Sequence, residues 1–370
     1  MTLVSGDNPE HFDDVLAMAN VDVDEVEHAV ASNADAIYTW DYQKGERLGL
    51  EKLYEKAKGS QWNGQTDLDW TTNVDPEQVA AEMAGGDHRS QFVKRLIDSP
   101  GSPISSWGDK EILQYEMETF AHRLSQFTHG EQGALICTAK IVETVPWIDA
   151  KYYAATQVVD EARHVEVFSQ YLDTKWPSSY PISVHLRALL DDIVNDTRWD
   201  MTYLGMQIMV EGLALAAFGF MHQMCTEPLL KKLLRYVMAD EARHVAFGVL
   251  SLQEYYQELT QAEILDRQQF AFEATIRMRD RFLQQEVWDR MGGDTKAMVR
   301  VILDMPAEEK LFQQMLFSKI VPNCRKLGLL DAGDGWLRER YQEIGIIEFE
   351  NYVDTAVEYE VFDLAQETES

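Results

Sequence analysis

The hexapeptide Asp-Glu-Ala-Arg-His-Val occurs twice in the chain, at residues 160–165 and 240–245, and this repeat is the strongest constraint on the fold. A glutamate precedes each copy at the same distance, because Glu131 lies 30 residues before Glu161 and Glu211 lies 30 residues before Glu241. The chain therefore contains a glutamate followed by Glu-x-x-His two times with identical spacing. Two copies of one structural unit are the simplest explanation.

Apolar residues three and four positions apart surround each of these four glutamates, as in Ala154, Val158, Glu161, Val165 and Phe168. This spacing predicts amphipathic helices that each turn one glutamate toward a common core. The histidine three residues after the glutamate faces the same way. We predict four long helices at about 109–145, 148–175, 184–225 and 228–258, forming an all-α four-helix bundle.

Four carboxylates in one bundle core require cations, since an unpaired buried ion costs several kcal/mol. Two divalent metal ions would neutralise four negative charges. Oxygen-rich donors with one imidazole per ion favour iron or manganese over zinc. We predict two iron ions, with Mn/Fe and Mn/Mn pairs left open, and the arrangement matches the di-metal site of carboxylate helix bundles. The predicted ligands are Glu131, Glu161, His164, Glu211, Glu241 and His244.

The other polar residues of the repeat predict a second layer around the ligands. A metal-bound histidine usually donates its remaining ring N–H to a carboxylate. We expect cross-pairing between the two copies, from His244 to Asp160 and from His164 to Asp240. Arg163 and Arg243 would hold these aspartates by charge-assisted hydrogen bonds.

The remaining chain is predicted to flank the bundle within a single all-α domain of residues 1–370. Residues 1–108 form a flank that is helical over much of 1–58 and rich in loops afterwards, with a helix starting at Asp75 and Pro76. Residues 109–258 form the di-metal bundle. Residues 259–370 form a second helical flank with an acidic tail, with helices at about 260–291 and 306–327 and a short one near Gly335.

Charge and cysteine content narrow the class of protein. The formal net charge is −30, which disfavours binding to nucleic acid or anionic membranes. The three cysteines, Cys137, Cys225 and Cys324, form no disulfide pattern, so we expect a cytoplasmic protein. We found no apolar run approaching the ~20 residues of a membrane span and therefore expect no membrane association.

The Asp-Glu-x-Arg-His sequence in both metal-bearing helices resembles the ferritin-like di-iron carboxylate superfamily. It is most similar to the hydroxylase subunits of bacterial multicomponent monooxygenases and to the small subunit of ribonucleotide reductase. The resemblance covers about residues 109–258 and does not assign a subfamily. Phe168 stands where the reductase has a radical tyrosine, Leu215 where the hydroxylases have a threonine, and Val237 where N-oxygenases have an extra histidine.

The resemblance implies an O₂-activating oxidoreductase that acts on a small organic substrate, by monooxygenase, N-oxygenase or desaturase chemistry. Small residues beside the ligands, Gly133, Ala134, Gly212 and Ala214, predict free space near the metals. The electron donor is external, a ferredoxin or a flavin reductase, since no nucleotide-binding glycine motif follows a strand. A homodimer stays open, as do two alternatives: a ferroxidase or iron store, and a metal- or radical-bearing subunit of a larger complex.

Overall fold

The computed structural model describes residues 29–32, 34–40, 42, 46–84, 91–305 and 315–355, and within these ranges all regular structure is helical. The predicted all-α, ferritin-like fold is confirmed. The helices are α1 (Leu48–Gly59), α2 (Pro76–Met83), α3 (Gln91–Asp98), α4 (Asp109–Thr144), α5 (Ile148–Lys175), α6 (Val184–Asn195), α7 (Trp199–Met224), α8 (Pro228–Tyr255), α9 (Gln261–Asp280), α10 (Gln285–Arg290), α11 (Thr295–Leu303), α12 (Ile320–Lys326) and α13 (Trp336–Glu343). Short 3₁₀ turns lie at Arg281–Leu283, Leu316–Ser318, Gly333–Gly335 and Ile347–Asn351.

The helices α4, α5, α7 and α8 form the bundle, with α4 packed along α5 and α7 packed along α8. Three of these four match the predicted ranges within three residues at each end. The start of α8 is fixed by Glu227, whose carboxylate accepts the backbone N–H groups of Leu229 and Leu230 at 2.8 and 2.7 Å. Pro228 at the first helical position lacks only an N–H that would have no helical partner.

The predicted helix 184–225 is wrong as one element, because the structure has two helices, α6 and α7, separated at residues 196–198. The Asp196 side chain accepts the backbone N–H of Arg198 at 2.8 Å, which competes with helix continuation. The buried Lys140 ammonium on α4 donates to the carbonyl groups of Val194, at 2.7 Å, and Asp196. Lys140 therefore satisfies the free carbonyl end of α6.

Residues Leu204–Val210 of α7 form a π-helical segment that ends directly before Glu211. A π-helical turn holds more residues than an α-helical turn, and such segments are frequent at functional sites. Contrary to our sequence analysis, α7 is long and apolar enough to cross a membrane by length and composition. Its apolar window is 83% buried inside the fold, as expected for the core helix of a bundle.

The N-terminal flank covers the bundle through α1, which packs against α5 and α8. The predicted helix start at Asp75 and Pro76 is confirmed, since Asp75 accepts the N–H groups of the first turn of α2. The helical prediction for 1–58 is wrong at 29–32 and 34–40, where the backbone is irregular, and its residues 1–28 lie outside the described part.

The C-terminal flank covers the other side, where α9 packs against α6 and the π-helical segment of α7. The predicted helix 260–291 is interrupted after Asp280, because Gln284 adopts a left-handed conformation with φ of 52°. The predicted short helix near Gly335 is confirmed as α13. Of the predicted helix 306–327, residues 306–314 lie outside the described part, as does the acidic tail beyond residue 355.

Candidate metal centre

The four glutamates predicted from the repeat come from four different helices and meet in the bundle core. Glu131 lies on α4, Glu161 on α5, Glu211 on α7 directly after the π-helical segment, and Glu241 on α8. Each side chain is at most 5% exposed. The helix periodicity that places apolar residues on the inner face of each helix places these carboxylates there too.

Two overlapping clusters of donor atoms result. The first cluster consists of Glu131, Glu161, His164 and Glu241, and the second of Glu161, Glu211 and His244, with one donor atom per residue and all atoms of a cluster within 4.8 Å of one another. Glu161 belongs to both clusters. The structure therefore brings all six predicted ligand residues together as two adjacent sites that share one carboxylate.

Both histidines turn Nδ1 toward the carboxylates. The Nδ1 atom of His164 lies 3.1 Å from oxygens of Glu131 and Glu241, and that of His244 lies 3.0 Å from Glu161. The opposite ring nitrogen of His164, Nε2, lies 3.1 Å from Asp240 Oδ2. Because an aspartate accepts, this contact places a ring proton on Nε2 and turns Nδ1 toward the glutamates. Nδ1 donates to a carboxylate in the metal-free state, and its lone pair would face a metal ion once that proton is lost.

The predicted cross-pairing between the two repeat copies is present in the structure. His244 Nε2 lies 3.4 Å from Asp160 Oδ2, the counterpart of the contact between His164 and Asp240. Arg163 and Arg243 each contact both aspartates, and each hydrogen bonds closely to the aspartate three residues before it. The two arginines thus balance the two aspartates outside the glutamate layer.

Burial and mutual repulsion alter the pKa values of the glutamates. Burial, reinforced by Glu241, raises the pKa of Glu131 to about 8. Burial, reinforced by Glu161 and Glu241, raises the pKa of Glu211 well above its ordinary value. Burial also acts to raise the pKa of Glu161, but the neighbouring His244 and His164 outweigh it and lower that pKa. Without cations, the cluster therefore retains protons at neutral pH.

The glutamate oxygens fit metal ions better than any partner in the described chain. Glu211 Oε2 and Glu241 Oε2 are fully buried and have no hydrogen-bond partner there. Such buried acceptors are rare in native structures and call for a partner. Four carboxylates and two neutral imidazoles match two divalent ions in charge and in donor type.

Sequence analysis missed three residues that contact this site. Trp62 donates its indole N–H to Asp240 Oδ2 at 2.8 Å, and the neighbouring Gln61 donates to Asp160 Oδ1 at 3.2 Å. Both come from the loop after α1, where no periodicity signals a contact. Gln157 donates its amide N–H groups to Glu161 at 2.9 Å and to Glu211 at 3.0 Å. Its position one turn before Glu161 on the inner face of α5 was a usable signal.

A cavity of about 20 Å³ lies between α4 and α7 and reaches Glu131, Glu211 and Glu241. Ala134 and Ala214 line it, as predicted. The prediction is wrong for the two glycines, which serve helix packing: a methyl group on Gly133 would lie 2.7 Å from Leu190, and one on Gly212 would lie 3.3 Å from Ile320.

No family model and no curated protein matches the chain. Solved structures of an R2-like ligand-binding oxidase are similar to it. The structure with an aerobically reconstituted metal cofactor after photoconversion is 16% identical, over 77% of this chain and 99% of that one, with a TM-score of 0.48. The structure with an aerobically reconstituted Mn/Fe cofactor after a long soak is 16% identical. The match covers 79% of this chain and 93% of that one, with a TM-score of 0.46. These values describe a distant likeness between helical folds.

Proposed function

We propose that this protein is an oxidoreductase that uses O₂ and two bound metal ions to oxidise a small organic molecule. One observation carries the proposal: six buried donor residues converge in two clusters, and each histidine presents Nδ1 to the carboxylates while an aspartate holds Nε2. Aspartates that fix the tautomer and orientation of a ligand histidine are typical of metal centres.

The donor set favours two iron ions or a manganese–iron pair, because oxygen donors with one imidazole per ion suit these metals. Glu131 and His164 would hold one ion, and Glu211 and His244 the other. Glu161 would contact both, since it belongs to both clusters, and Glu241 would complete the first. Two such ions supply the capacity to reduce O₂ and to oxidise an organic substrate.

The protein itself keeps the site dry and ordered. Phe127, Phe168 and Phe218 pack together inside the bundle, with ring centroids 4.6 to 6.1 Å apart. Gln157 holds Glu161 and Glu211 by hydrogen bonds, so these carboxylates are oriented before any ligand binds. The cavity beside Glu131 and Glu211 has room for one molecule of the size of water, the scale on which O₂ enters.

The finer activity we propose is a monooxygenase-type oxidation in the cytoplasm, with electrons from a ferredoxin or a flavin reductase. A monooxygenase needs a path for a small substrate, and the cavity lined by Phe127, Ala134 and Leu213 supplies apolar walls beside the carboxylates. An N-oxygenase, a desaturase, a ferroxidase or store, and a radical-bearing subunit remain the competing candidates. We propose a homodimer that binds neither nucleic acid nor membranes.

The proposal is tested by O₂ consumption. Metal-free protein is loaded anaerobically with two equivalents of Fe(II), desalted, and mixed with O₂ and excess ascorbate in an oxygen electrode. We expect sustained O₂ uptake by the wild type and none above the buffer rate for Glu161→Ala/Glu241→Ala. The exposed Glu258→Gln variant is the matched control and keeps wild-type uptake. Oxidation and retention of many irons per chain would instead favour a ferroxidase or store.

A further inference from the structure

The cavity between α4 and α7 is lined mainly by small and apolar residues, with one cation among them. Its inner end reaches three of the core glutamates, and its walls include Phe127, Ala134 and Leu213. The cation is Arg281, which lies in the 3₁₀ turn after α9, outside the four bundle helices. A positively charged residue therefore lines a cavity that leads to the proposed metal centre.

The side chain of Arg281 is partly buried. Burial lowers its pKa to about 10, with Glu286 opposing that effect, so it stays protonated at neutral pH. In the described part of the chain, its guanidinium has no hydrogen-bond or ion-pair partner. The residue keeps partial exposure. Its N–H donors are therefore open to a bound molecule.

Arginines with a structural role look different in this protein. Arg267, on the neighbouring helix α9, donates from Nε and a terminal nitrogen to the two oxygens of Asp200 at 2.9 and 3.1 Å. The natural partner for Arg281 would be Glu286, but that carboxylate is engaged by His122, with Nε2 and Oε2 3.3 Å apart. Arg281 thus lacks the bidentate carboxylate partner that Arg267 has.

We propose that Arg281 is a substrate-binding residue and that the substrate of the proposed oxidase is an organic acid whose carboxylate pairs with this guanidinium. The planar guanidinium matches a carboxylate in a two-point contact. The apolar part of the acid then extends along Phe127, Ala134 and Leu213 toward the glutamates. Arg281 thus holds the carboxylate away from the metal centre, and the carbon chain of the acid points toward that centre.

The role of the acid as a substrate rests on the proposed function, but the binding of the acid by Arg281 does not require metal. A net charge of −30 repels anions from the protein as a whole. The positive charge of the partly buried Arg281 makes the cavity an exception to that repulsion. The cavity has a volume of about 20 Å³, so the side chains around it must move apart to admit the organic part of the substrate.

The test compares hexanoate with its neutral isostere hexanamide by isothermal titration, using both metal-free and Mn(II)-loaded full-length protein. We expect hexanoate to bind roughly 10- to 100-fold more tightly than hexanamide in both forms, the range for hydrogen bonds to a charged group. Arg281→Gln removes this preference and leaves hexanamide affinity within about twofold. Arg281→Lys retains part of it, since the charge stays and the planar fork is lost. Arg279→Gln is the matched control, because Asp280 already engages that guanidinium.

Three results would overturn the proposal: equal affinity for acid and amide, an acid preference that persists in Arg281→Gln, or no saturable binding of hexanoate. An acid preference that persists in Arg281→Gln would mean that the carboxylate binds to another group. If that preference appeared only in the Mn(II)-loaded protein, the group would be the metal ions. If Arg281→Gln does not fold, the proposal is tested by the Arg281→Lys variant and by the acid–amide comparison on the wild type. Acid preference in metal-free protein that fails to bind manganese or iron would refute the proposed function and leave the anion site standing.

Discussion

His164 and Asp240 belong to different copies of the repeated hexapeptide, and their Nε2 and Oδ2 atoms lie 3.1 Å apart. The mirror contact joins His244 to Asp160 at 3.4 Å. Each copy therefore supplies the aspartate that orients the histidine of the other copy. This exchange explains why both copies keep the full sequence: neither histidine is oriented without the partner copy.

The substitution Asp240→Asn tests that contact. We expect metal affinity to fall by roughly 10- to 100-fold, the usual effect of losing a hydrogen-bond partner of a ligand histidine. Affinity is measured by competition with a metal chelator on protein whose folding is verified by circular dichroism. Asp173→Asn, an exposed change on α5, is the control and should leave affinity unchanged. Equal affinity in Asp240→Asn and wild type would contradict the role of this aspartate.

Trp62→Phe removes the indole N–H that Asp240 accepts and keeps a ring to stack on Tyr236, whose centroid lies 4.8 Å away. We expect a loss of about fivefold to tenfold in metal affinity, smaller than for Asp240→Asn, because Arg163 and Arg243 still hold Asp240. Trp70→Phe is a matched control, since its indole donates to the Gly64 carbonyl, away from the site. A loss of the same size in both variants would mean a general packing effect.

Gln157→Leu removes the only described donor shared by Glu161 and Glu211. We expect the ion at Glu211 and His244 to be lost first, with an affinity about 10-fold weaker, because a hydrogen bond to a charged group disappears. Titration with Mn(II), followed by electron paramagnetic resonance, would then show two unequal binding steps. Gln170→Leu on the same helix is the control. Retention of the wild-type titration curve would show that Gln157 does not position Glu211.

Salt should stabilise the folded protein. With a formal net charge of −30, self-repulsion opposes the compact state, and added salt screens it. We expect the melting temperature to rise between dilute buffer and ~1 M KCl, where the screening length falls to about 3 Å. Differential scanning calorimetry measures this. A melting temperature that falls with KCl would show that specific ion pairs outweigh the net charge.

The six donor residues were predictable because their spacing is duplicated and because Glu-x-x-His places both donors on one helix face. The second layer was predictable for the same reason, since Asp160 and Asp240 lie one turn before the histidines. The contact that satisfies the carbonyl end of α6 was not predictable, because it comes from Lys140, which lies on another helix 56 residues from Asp196.

Trp62 and Arg281 show a second limit of the sequence. Both reach the site or its cavity from segments outside the bundle helices, where no hydrophobic period relates position to direction. The π-helical segment before Glu211 is likewise invisible in an apolar run such as Leu204–Val210. Local spacing fixes which residues share a helix face, whereas contacts between distant segments depend on tertiary packing.

The most direct test of the account is the number of metal ions bound per chain. Metal-free protein is loaded anaerobically with Fe(II), or with Mn(II) and Fe(II), exposed to air, desalted, and analysed by inductively coupled plasma mass spectrometry. The account predicts two ions per wild-type chain, the number that neutralises four carboxylates, and their loss in Glu161→Ala/Glu241→Ala. A wild-type chain that retains no iron, manganese or zinc would contradict it, and the duplicated hexapeptide would then be a structural polar core.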